Sequence, residues 1–264
     1  MAGLTLGGGF GWLSRKYGMS VDNLLSAEVV TADGRQLHAS ETENADLFWG
    51  LRGGGGNFGI VTRFEFRLHP VGPEVLSGLI VFPFGQSKAV LTQFARFTET
   101  MPDALNVWAV ARKAPSLPFL PEEVHGKAIV ALALCYAGDP AEGEKLIEPL
   151  RGFGKAHSEH IGGQTTRVAP EAMAYASRDT RYVMNVHGRW EPAAEDERCI
   201  GWARKFFART RPFASDGAYV NFLTQDESDR IAFAYGVAYG RLVELKKKYD
   251  PVNFLRMNQN IKPV

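Results

Sequence analysis

The chain has 264 residues, and its 30 basic and 29 acidic residues leave a formal net charge of +1. This balance gives no electrostatic case for nucleic acid or an anionic membrane as a partner. No apolar run is long enough to span a bilayer, no signal peptide is recognisable, and two cysteines are too few for a disulfide framework, so a cytoplasmic protein is expected.

Glycine dominates the beginning of the chain, where five of the nine residues at 3–11 are glycine. Without Cβ atoms, successive N–H groups can approach a ligand closely and form a concavity that binds an anion. The alternative is a flexible linker, but Leu4, Leu6, Phe10 and Trp12 add more apolar bulk than linkers carry. The composition therefore favours a phosphate-binding cradle.

Local signals predict alternating strands and helices along the rest of the chain. Asp33-Gly34 is a two-residue hairpin signal, and Asp139, Pro140 and Glu142 form an N-terminal helix signature. Proline at 70 and 73 indicates a domain boundary. The predicted strands cover 24–32, 35–39, 61–68, 75–82, 105–111, 127–136, 182–190 and 218–223. The predicted helices cover 45–51, 87–100, 140–149, 193–209 and 227–248.

Two of the predicted helices carry further expectations. The helix over 193–209 has an apolar stripe formed by Cys199, Ala203, Phe206 and Phe207. The helix over 227–248 is the longest, and the lysines at 246–248 in its last turn complement the negative end of the helix dipole.

A second glycine cluster, LRGGGGNFGIVT at 51–62, contains the spacing G-x-G-x-x-G at Gly54, Gly56 and Gly59. A Rossmann dinucleotide site needs a strand before these glycines and a helix after them. Here a helical segment comes first and a strand follows, so the Rossmann interpretation is rejected. Close approach of the backbone to a ligand remains the prediction.

Both clusters carry a resemblance to a known family. Together with YGMSVDNL at 17–24, VVTADG at 29–34 and YDPVNFLRMNQNI at 249–261, they resemble the berberine bridge enzyme-like oxidoreductases of the vanillyl-alcohol oxidase superfamily. The resemblance implies an α+β fold. Residues 1–72 and 225–264 would form part of the FAD-binding domain, and 73–224 a substrate domain with an antiparallel sheet and helices on one face.

The resemblance also implies which residues contact the FAD. Tyr219 and Asn221 match a Tyr-x-Asn-Tyr motif, and as alternate residues of a predicted strand they would share one face; without the resemblance, a half-buried strand would be the preferred interpretation. The cofactor-binding residues implied are Gly7, Gly8, Gly9, Gly11, Asp22, Asn23, Gly59, Ile60, Val61, Tyr219, Asn221, Asn258 and Asn260.

Phe222 occupies the position where several family members have a catalytic tyrosine, and phenylalanine has no atom that accepts a proton. The catalytic base therefore stays open. The sequence offers four other candidates without ranking them, namely Tyr175, Tyr182, His187 and Tyr235.

Other chemistries are not indicated. His157 and His160 lack the spacing and the additional ligands of a zinc site, so no metal is predicted. Neither a complete P-loop nor a G-x-S-x-G motif is present.

The leading hypothesis is an FAD-dependent oxidase of an alcohol- or amine-type small molecule, with oxygen as electron acceptor. The resemblance implies an upstream phosphate-binding loop and a flavin-linking histidine that this chain does not contain, so a truncated chain with weak FAD retention is expected. The rival hypothesis is a non-catalytic remnant or interaction module without flavin. The oligomeric state stays open.

Overall fold

The computed structural model describes residues 1–72, 74–116, 120, 122–153, 158–160, 173–186, 190, 192–215, 217–256 and 259–264. Its strands are β1 (Leu24–Val30), β2 (Gln36–Ser40), β3 (Ile60–Phe66), β4 (Leu76–Pro83), β5 (Leu105–Lys113), β6 (Ala128–Tyr136), β7 (Ser158–His160) and β8 (Tyr182–Met184). Its α-helices are α1 (Ala2–Leu6), α2 (Ser14–Tyr17), α3 (Ala45–Leu51), α4 (Ser87–Thr100), α5 (Pro140–Ile147), α6 (Asp196–Thr210), α7 (Ile231–Tyr235) and α8 (Tyr239–Tyr249).

The first sheet has the order β2-β1-β3 and is antiparallel. The hairpin predicted at Asp33-Gly34 is confirmed, with Val30 opposite Gln36. Gly34 has φ of 83°, a left-handed conformation that glycine adopts without a steric cost. The helix–glycine–strand order of the second cluster is also confirmed, because α3 precedes it and β3 follows it.

One hydrophobic core joins the first sheet to both ends of the chain. Leu47, Phe48 and Leu51 of α3 are buried together with Leu242 and Leu245 of α8. Full burial of such a side chain contributes about 1.5–3 kcal/mol. The C-terminal helices are therefore held against the N-terminal segment, as the resemblance implies.

The second sheet has the order β4-β6-β5-β7-β8, and every pairing in it is antiparallel. Helices α4 and α5 pack onto it through Val90, Phe94 and Ile147. Asp139 caps α5 as predicted, since its carboxylate accepts the N–H groups of Ala141 at 2.9 Å and Glu142 at 3.1 Å. The α+β fold class and the antiparallel sheet are confirmed.

The single long helix predicted over 227–248 is wrong. A 3-10 segment at Gln225–Arg230 leads into α7, and Gly236, with φ of 47°, ends α7 before α8 begins. Glycine tolerates this left-handed conformation, which interrupts the helical hydrogen bonding. The predicted inner face survives the break, because Ile231, Tyr235 and Leu242 are all buried.

The apolar stripe predicted on α6 lies outside both hydrophobic cores. The helix forms at Asp196–Thr210, but none of its residues is buried. Trp202 is 53% exposed and Phe206 is 42% exposed. The apolar period predicted the helix correctly, since it depends on local spacing, whereas burial depends on where the neighbouring elements lie. Within the described residues, no helix is long and apolar enough to cross a membrane.

Candidate functional site

The two ends of the chain meet at one hydrogen-bonded site. The Gly9 N–H donates to the Tyr219 hydroxyl at 3.1 Å, across 210 positions of sequence. The Asn221 side-chain amide donates to the Leu4 carbonyl at 2.9 Å and to the Tyr219 hydroxyl at 2.7 Å. The first glycine cluster and the Tyr-x-Asn motif are therefore parts of a single arrangement.

The segment that carries this motif is not the predicted strand. Val220–Phe222 forms a 3-10 helix with Tyr219 at its N-cap. A 3-10 helix has three residues per turn, so positions i and i+3 lie on the same side. The rings of Tyr219 and Phe222 accordingly pack edge to face, with centroids 4.9 Å apart. The expectation that Tyr219 and Asn221 share one strand face, with Phe222 on the other, is wrong.

The glycines of the first cluster allow close packing within the protein. A Cβ at Gly7 would lie 2.0 Å from Asn221 Oδ1, and one at Gly9 would lie 2.6 Å from Ser20 Oγ. The N–H groups of Gly7, Gly8 and Gly11 donate to Gly3 O, Thr5 O and Ser14 Oγ. A phosphate at these groups would compete with acceptors of the chain itself, and the cradle stays a prediction.

The glycine cluster is also fastened to the second sheet. The Asn106 side chain on β5 donates to the carbonyls of Gly11 at 3.0 Å and Trp12 at 3.2 Å. The rings of Trp12 and Trp108 stack with centroids 4.0 Å apart. Residues of β5 thus hold the N-terminal loop against the larger sheet. The sequence did not predict this contact.

Aromatic side chains pack around the Tyr219 ring. Phe10 lies 4.7 Å from the Tyr219 ring and Tyr175 lies 6.0 Å from it, measured between ring centroids. Met19 is fully buried beside them. We call Phe10, Met19, Tyr175, Tyr219 and Phe222 the aromatic cluster. It is an apolar, largely buried surface bounded by the glycine run.

The structure shows different surroundings for the three candidate bases that it describes. The Tyr182 hydroxyl is hydrogen-bonded to Thr98, and the Tyr235 hydroxyl donates to Gly54 O at 3.2 Å inside the first core. His187 lies outside the described residues. Among the described candidates, Tyr175 alone belongs to the aromatic cluster. Burial raises the pKa of its phenol, so the group stays protonated and acts as a hydrogen-bond donor.

Asp22 and Asn23 stabilise the turn that follows the glycine cluster. The Asp22 carboxylate accepts the Met19 N–H at 2.7 Å and two hydrogen bonds from Arg178 at 2.6 and 3.0 Å. The Asn23 amide donates to the carbonyls of Tyr17 and Met19. These bonds use the polar atoms of both residues within the protein, and their contact with a flavin stays a prediction.

Gly59, Ile60 and Val61 lie where β3 begins, beside β1. A Cβ at Gly59 would lie 2.3 Å from Val29 Cγ1, so only glycine fits. Val61 lies opposite Val29 in the sheet. Ile60 is 62% exposed, an unusual fraction for a large apolar side chain in a sheet.

The closing motif is held by a buried polar network. The Asn57 amide donates to Gly54 O at 2.9 Å and Gln259 O at 3.1 Å, and its Oδ1 accepts the Ile261 N–H at 3.0 Å. Asn260 lies between these two anchor points, and its side-chain oxygen is buried without a hydrogen-bond partner among the described residues. Asn258 lies outside them.

Lys246 completes the same network. Its ammonium is fully buried and donates to Asp250 at 2.6 Å, Leu255 O at 2.6 Å and Asn57 O at 3.0 Å. The lysine lies in the last turn of α8 as predicted, and its side chain in addition turns inward. Sequence reasoning missed both Lys246 and Asn57. Only Asn57 carried a signal, as a polar residue within a glycine run.

The residues present fit a flavin nucleotide. The buried oxygens of Tyr175 and Asn260 lack partners within the described chain, and buried polar atoms are normally hydrogen-bonded. An isoalloxazine offers both donors and acceptors for such groups, and the aromatic cluster supplies apolar surface around Tyr175. No group of three or more His, Cys, Asp or Glu side chains is placed to hold a metal in the described part of the chain.

Comparison with known proteins agrees with this arrangement. A family model described as "FAD binding domain" matches residues 1–40, and one described as "Berberine and berberine like" matches residues 218–262. An FAD-linked oxidoreductase of Dictyostelium discoideum is 27% identical over 326 residues, an alignment that covers 100% of this chain and 68% of the relative.

Two further proteins are similar to this chain. The (R)-6-hydroxynicotine oxidase of Paenarthrobacter nicotinovorans is 35% identical over 159 residues, covering 60% of this chain and 33% of its own. The D396N variant of Physcomitrella patens BBE-like 1 superposes with a TM-score of 0.84 at 20% identity, covering 99% of this chain and 70% of that structure. The chain thus spans about two thirds of the Dictyostelium and Physcomitrella proteins. The two family models and these similarities indicate a berberine bridge enzyme-like, FAD-linked oxidoreductase, with FAD as the cofactor.

Proposed function

We propose that this protein oxidises an alcohol- or amine-type carbon of a small molecule, with oxygen as the final electron acceptor. When bound, FAD supplies the redox chemistry by accepting a hydride at N5 and passing electrons to oxygen. The protein's own residues bind the reactants, orient them and exclude water.

One observation carries the proposal. Gly9 and Tyr219 belong to the two segments that match different family models, and they are joined by a buried hydrogen bond. Sequence segments 210 positions apart are thus brought together around an aromatic cluster. Because an unpartnered buried hydroxyl costs free energy, the Tyr175 oxygen, which has no hydrogen-bond partner among the described residues, supports a ligand at this cluster.

The proposed roles follow from these contacts. Asn221 and Tyr219 would hold the first glycine cluster against the flavin, together with the other cofactor-binding residues predicted from the sequence. Phe222 would form part of the substrate pocket through its ring, since it has no atom that accepts a proton. The division into a FAD domain at 1–72 and 225–264 and a substrate domain at 73–224 is part of this proposal.

The test is a cofactor titration followed by an oxidase assay. The full chain is purified, titrated with FAD and monitored through the flavin absorbance spectrum and the melting temperature. Hydrogen peroxide is then measured with a panel of primary alcohols, sugars and cyclic amines that includes 6-hydroxynicotine, because a relative named for that compound is similar to this chain.

We expect FAD to raise the melting temperature, since a ligand that binds only the folded state stabilises it by mass action. Peroxide should be formed with one chemical class of the panel. A folded chain whose melting temperature FAD does not raise, and which shows no bound-flavin absorbance, would contradict the proposal and favour the non-catalytic alternative.

A further inference from the structure

Tyr175 lies where the two glycine clusters converge. A Cβ at Gly8 would lie 3.1 Å from Tyr175 Cδ2, and one at Gly53 would lie 2.3 Å from its backbone nitrogen. The Tyr175 N–H donates to Arg52 O at 3.1 Å. Both glycines have positive φ, 121° for Gly8 and 126° for Gly53. Neither position can carry a side chain while Tyr175 stays where it is.

The ring is held from two further sides. Its centroid lies 4.9 Å from the Arg178 guanidinium carbon, and Arg178 is fixed by its hydrogen bonds to Asp22. On the other side, the Tyr219 ring packs edge to face at 6.0 Å. The position of the hydroxyl is therefore set by packing of its ring against Arg178 and Tyr219.

Among the described residues, the Tyr175 hydroxyl has no hydrogen-bond partner, whereas the hydroxyls of the other buried tyrosines each have one. Tyr175 is 5% exposed, and its oxygen is fully buried without a hydrogen bond among the described residues. Leaving a buried hydroxyl unpaired destabilises a fold. The remaining buried tyrosines are all paired, namely Tyr136 with Glu142, Tyr219 with Gly9 and Asn221, Tyr235 with Gly54, and Tyr249 with Asp46.

We infer that the Tyr175 hydroxyl belongs to the cofactor site and donates a hydrogen bond to an acceptor atom of bound FAD. The inference rests on the proposed function, because it requires FAD at the aromatic cluster. It explains why a tyrosine, rather than a phenylalanine of the same shape, stands between the two glycine clusters.

The experiment compares the wild-type chain with Tyr175→Phe, which keeps the ring and removes only the hydroxyl. Melting temperature is measured without FAD, and the FAD dissociation constant and flavin absorbance maximum are measured by titration. The matched control is Tyr182→Phe, which removes a hydroxyl bonded to Thr98 beside the second core.

We expect Tyr175→Phe to weaken FAD binding without lowering the stability of the FAD-free protein. Without FAD, the melting temperature stays the same or rises, because no protein hydrogen bond is lost. The dissociation constant for FAD rises about tenfold, the change expected for one buried hydrogen bond, and the absorbance maximum of bound flavin shifts. Tyr182→Phe should instead lower the melting temperature and leave FAD binding unchanged.

Three results would overturn the inference. Unchanged FAD affinity and spectrum in Tyr175→Phe would overturn it while leaving the proposed function intact. A lower melting temperature without FAD, or failure to fold, would overturn it by showing that the hydroxyl has a partner within the chain. A wild-type chain that FAD does not stabilise would overturn the proposed function and this inference together.

Discussion

Arg178 donates two hydrogen bonds to the Asp22 carboxylate, at 2.6 and 3.0 Å, across 156 positions of sequence. The Arg178 side chain is 1% exposed and that of Asp22 is 8% exposed. This buried ion pair fastens the segment that carries Tyr175 to the turn behind the first glycine cluster. The pair thereby joins the part of the candidate site near Tyr175 to the part formed by the first glycine cluster.

Arg178→Met should strongly destabilise the fold, because the Asp22 carboxylate would then be buried without its counter-ion. Removal of one partner of a buried pair costs about 3–5 kcal/mol. The measurement is the free energy of unfolding in urea. The control is Arg198→Met, which breaks an exposed pair with Glu195 and should leave stability almost unchanged. Equal effects of the two substitutions would contradict the assignment.

Lys246→Met should also lower the free energy of unfolding by about 3–5 kcal/mol, since Asp250 would lose its buried partner. Lys247→Met is the matched control on the same helix turn, where the side chain pairs with Glu244 at the surface. Equal free energies of unfolding for the two lysine variants in urea would show that Lys246 is not buried as described.

The same pair predicts a loss of stability in acid. Burial opposes ionisation of Asp250, but hydrogen bonds from Lys246 and from the N–H groups of Leu255 and Phe254 outweigh it and lower its pKa below the ordinary 3.8. A carboxyl with a lowered folded-state pKa stabilises the protein above its unfolded pKa, and this contribution is lost as the pH falls through the folded pKa.

Unfolding free energies measured between about pH 5 and pH 2 should therefore fall more steeply for the wild type than for Asp250→Asn, which has no carboxyl to protonate. Parallel curves for the two proteins would show that Asp250 does not contribute to acid unfolding.

Gly9→Ala should destabilise the fold by about 1–3 kcal/mol, because φ is 78° and the new Cβ would meet the Ser20 side chain. Gly11→Ala is the control within the same cluster. A Cβ there has no neighbour within 4 Å, so stability should stay within about 0.5 kcal/mol of the wild type. Equal melting of the two variants would mean that the cluster behaves as a loose loop.

Phe222→Ala should lower the free energy of unfolding by about 1–3 kcal/mol, because the half-buried ring packs on both Tyr219 and Phe10. Since that packing holds Tyr219, FAD affinity should fall as well, whereas Phe222→Tyr should keep both properties near wild type. In flavin-loaded protein, the pH–rate profile of Phe222→Ala should keep its apparent pKa, because no ionisable group is removed. A shifted pKa would show that the ring controls a nearby base.

Sequence alone determined the elements whose signals are local. The turn at Asp33-Gly34, the cap at Asp139 and the helix Ser87–Thr100 were all predictable, because each depends on residues within a few positions of one another. The two long motifs at the chain ends likewise indicated the family and the FAD. These inferences held because each signal acts within a few residues and the surrounding structure does not oppose it.

Only the tertiary structure decided what the distant segments do to each other. The hydrogen bond between Gly9 and Tyr219, the one from Lys246 to Asn57 and the ion pair between Asp22 and Arg178 join positions that no local pattern relates. A 3-10 helix at Val220–Phe222 forms instead of the predicted strand, because Tyr219 and Phe222 pack against each other within the aromatic cluster. Packing free energy outweighs the small propensity differences of a three-residue segment, so the conformation of the site is fixed by its neighbours rather than by its own sequence.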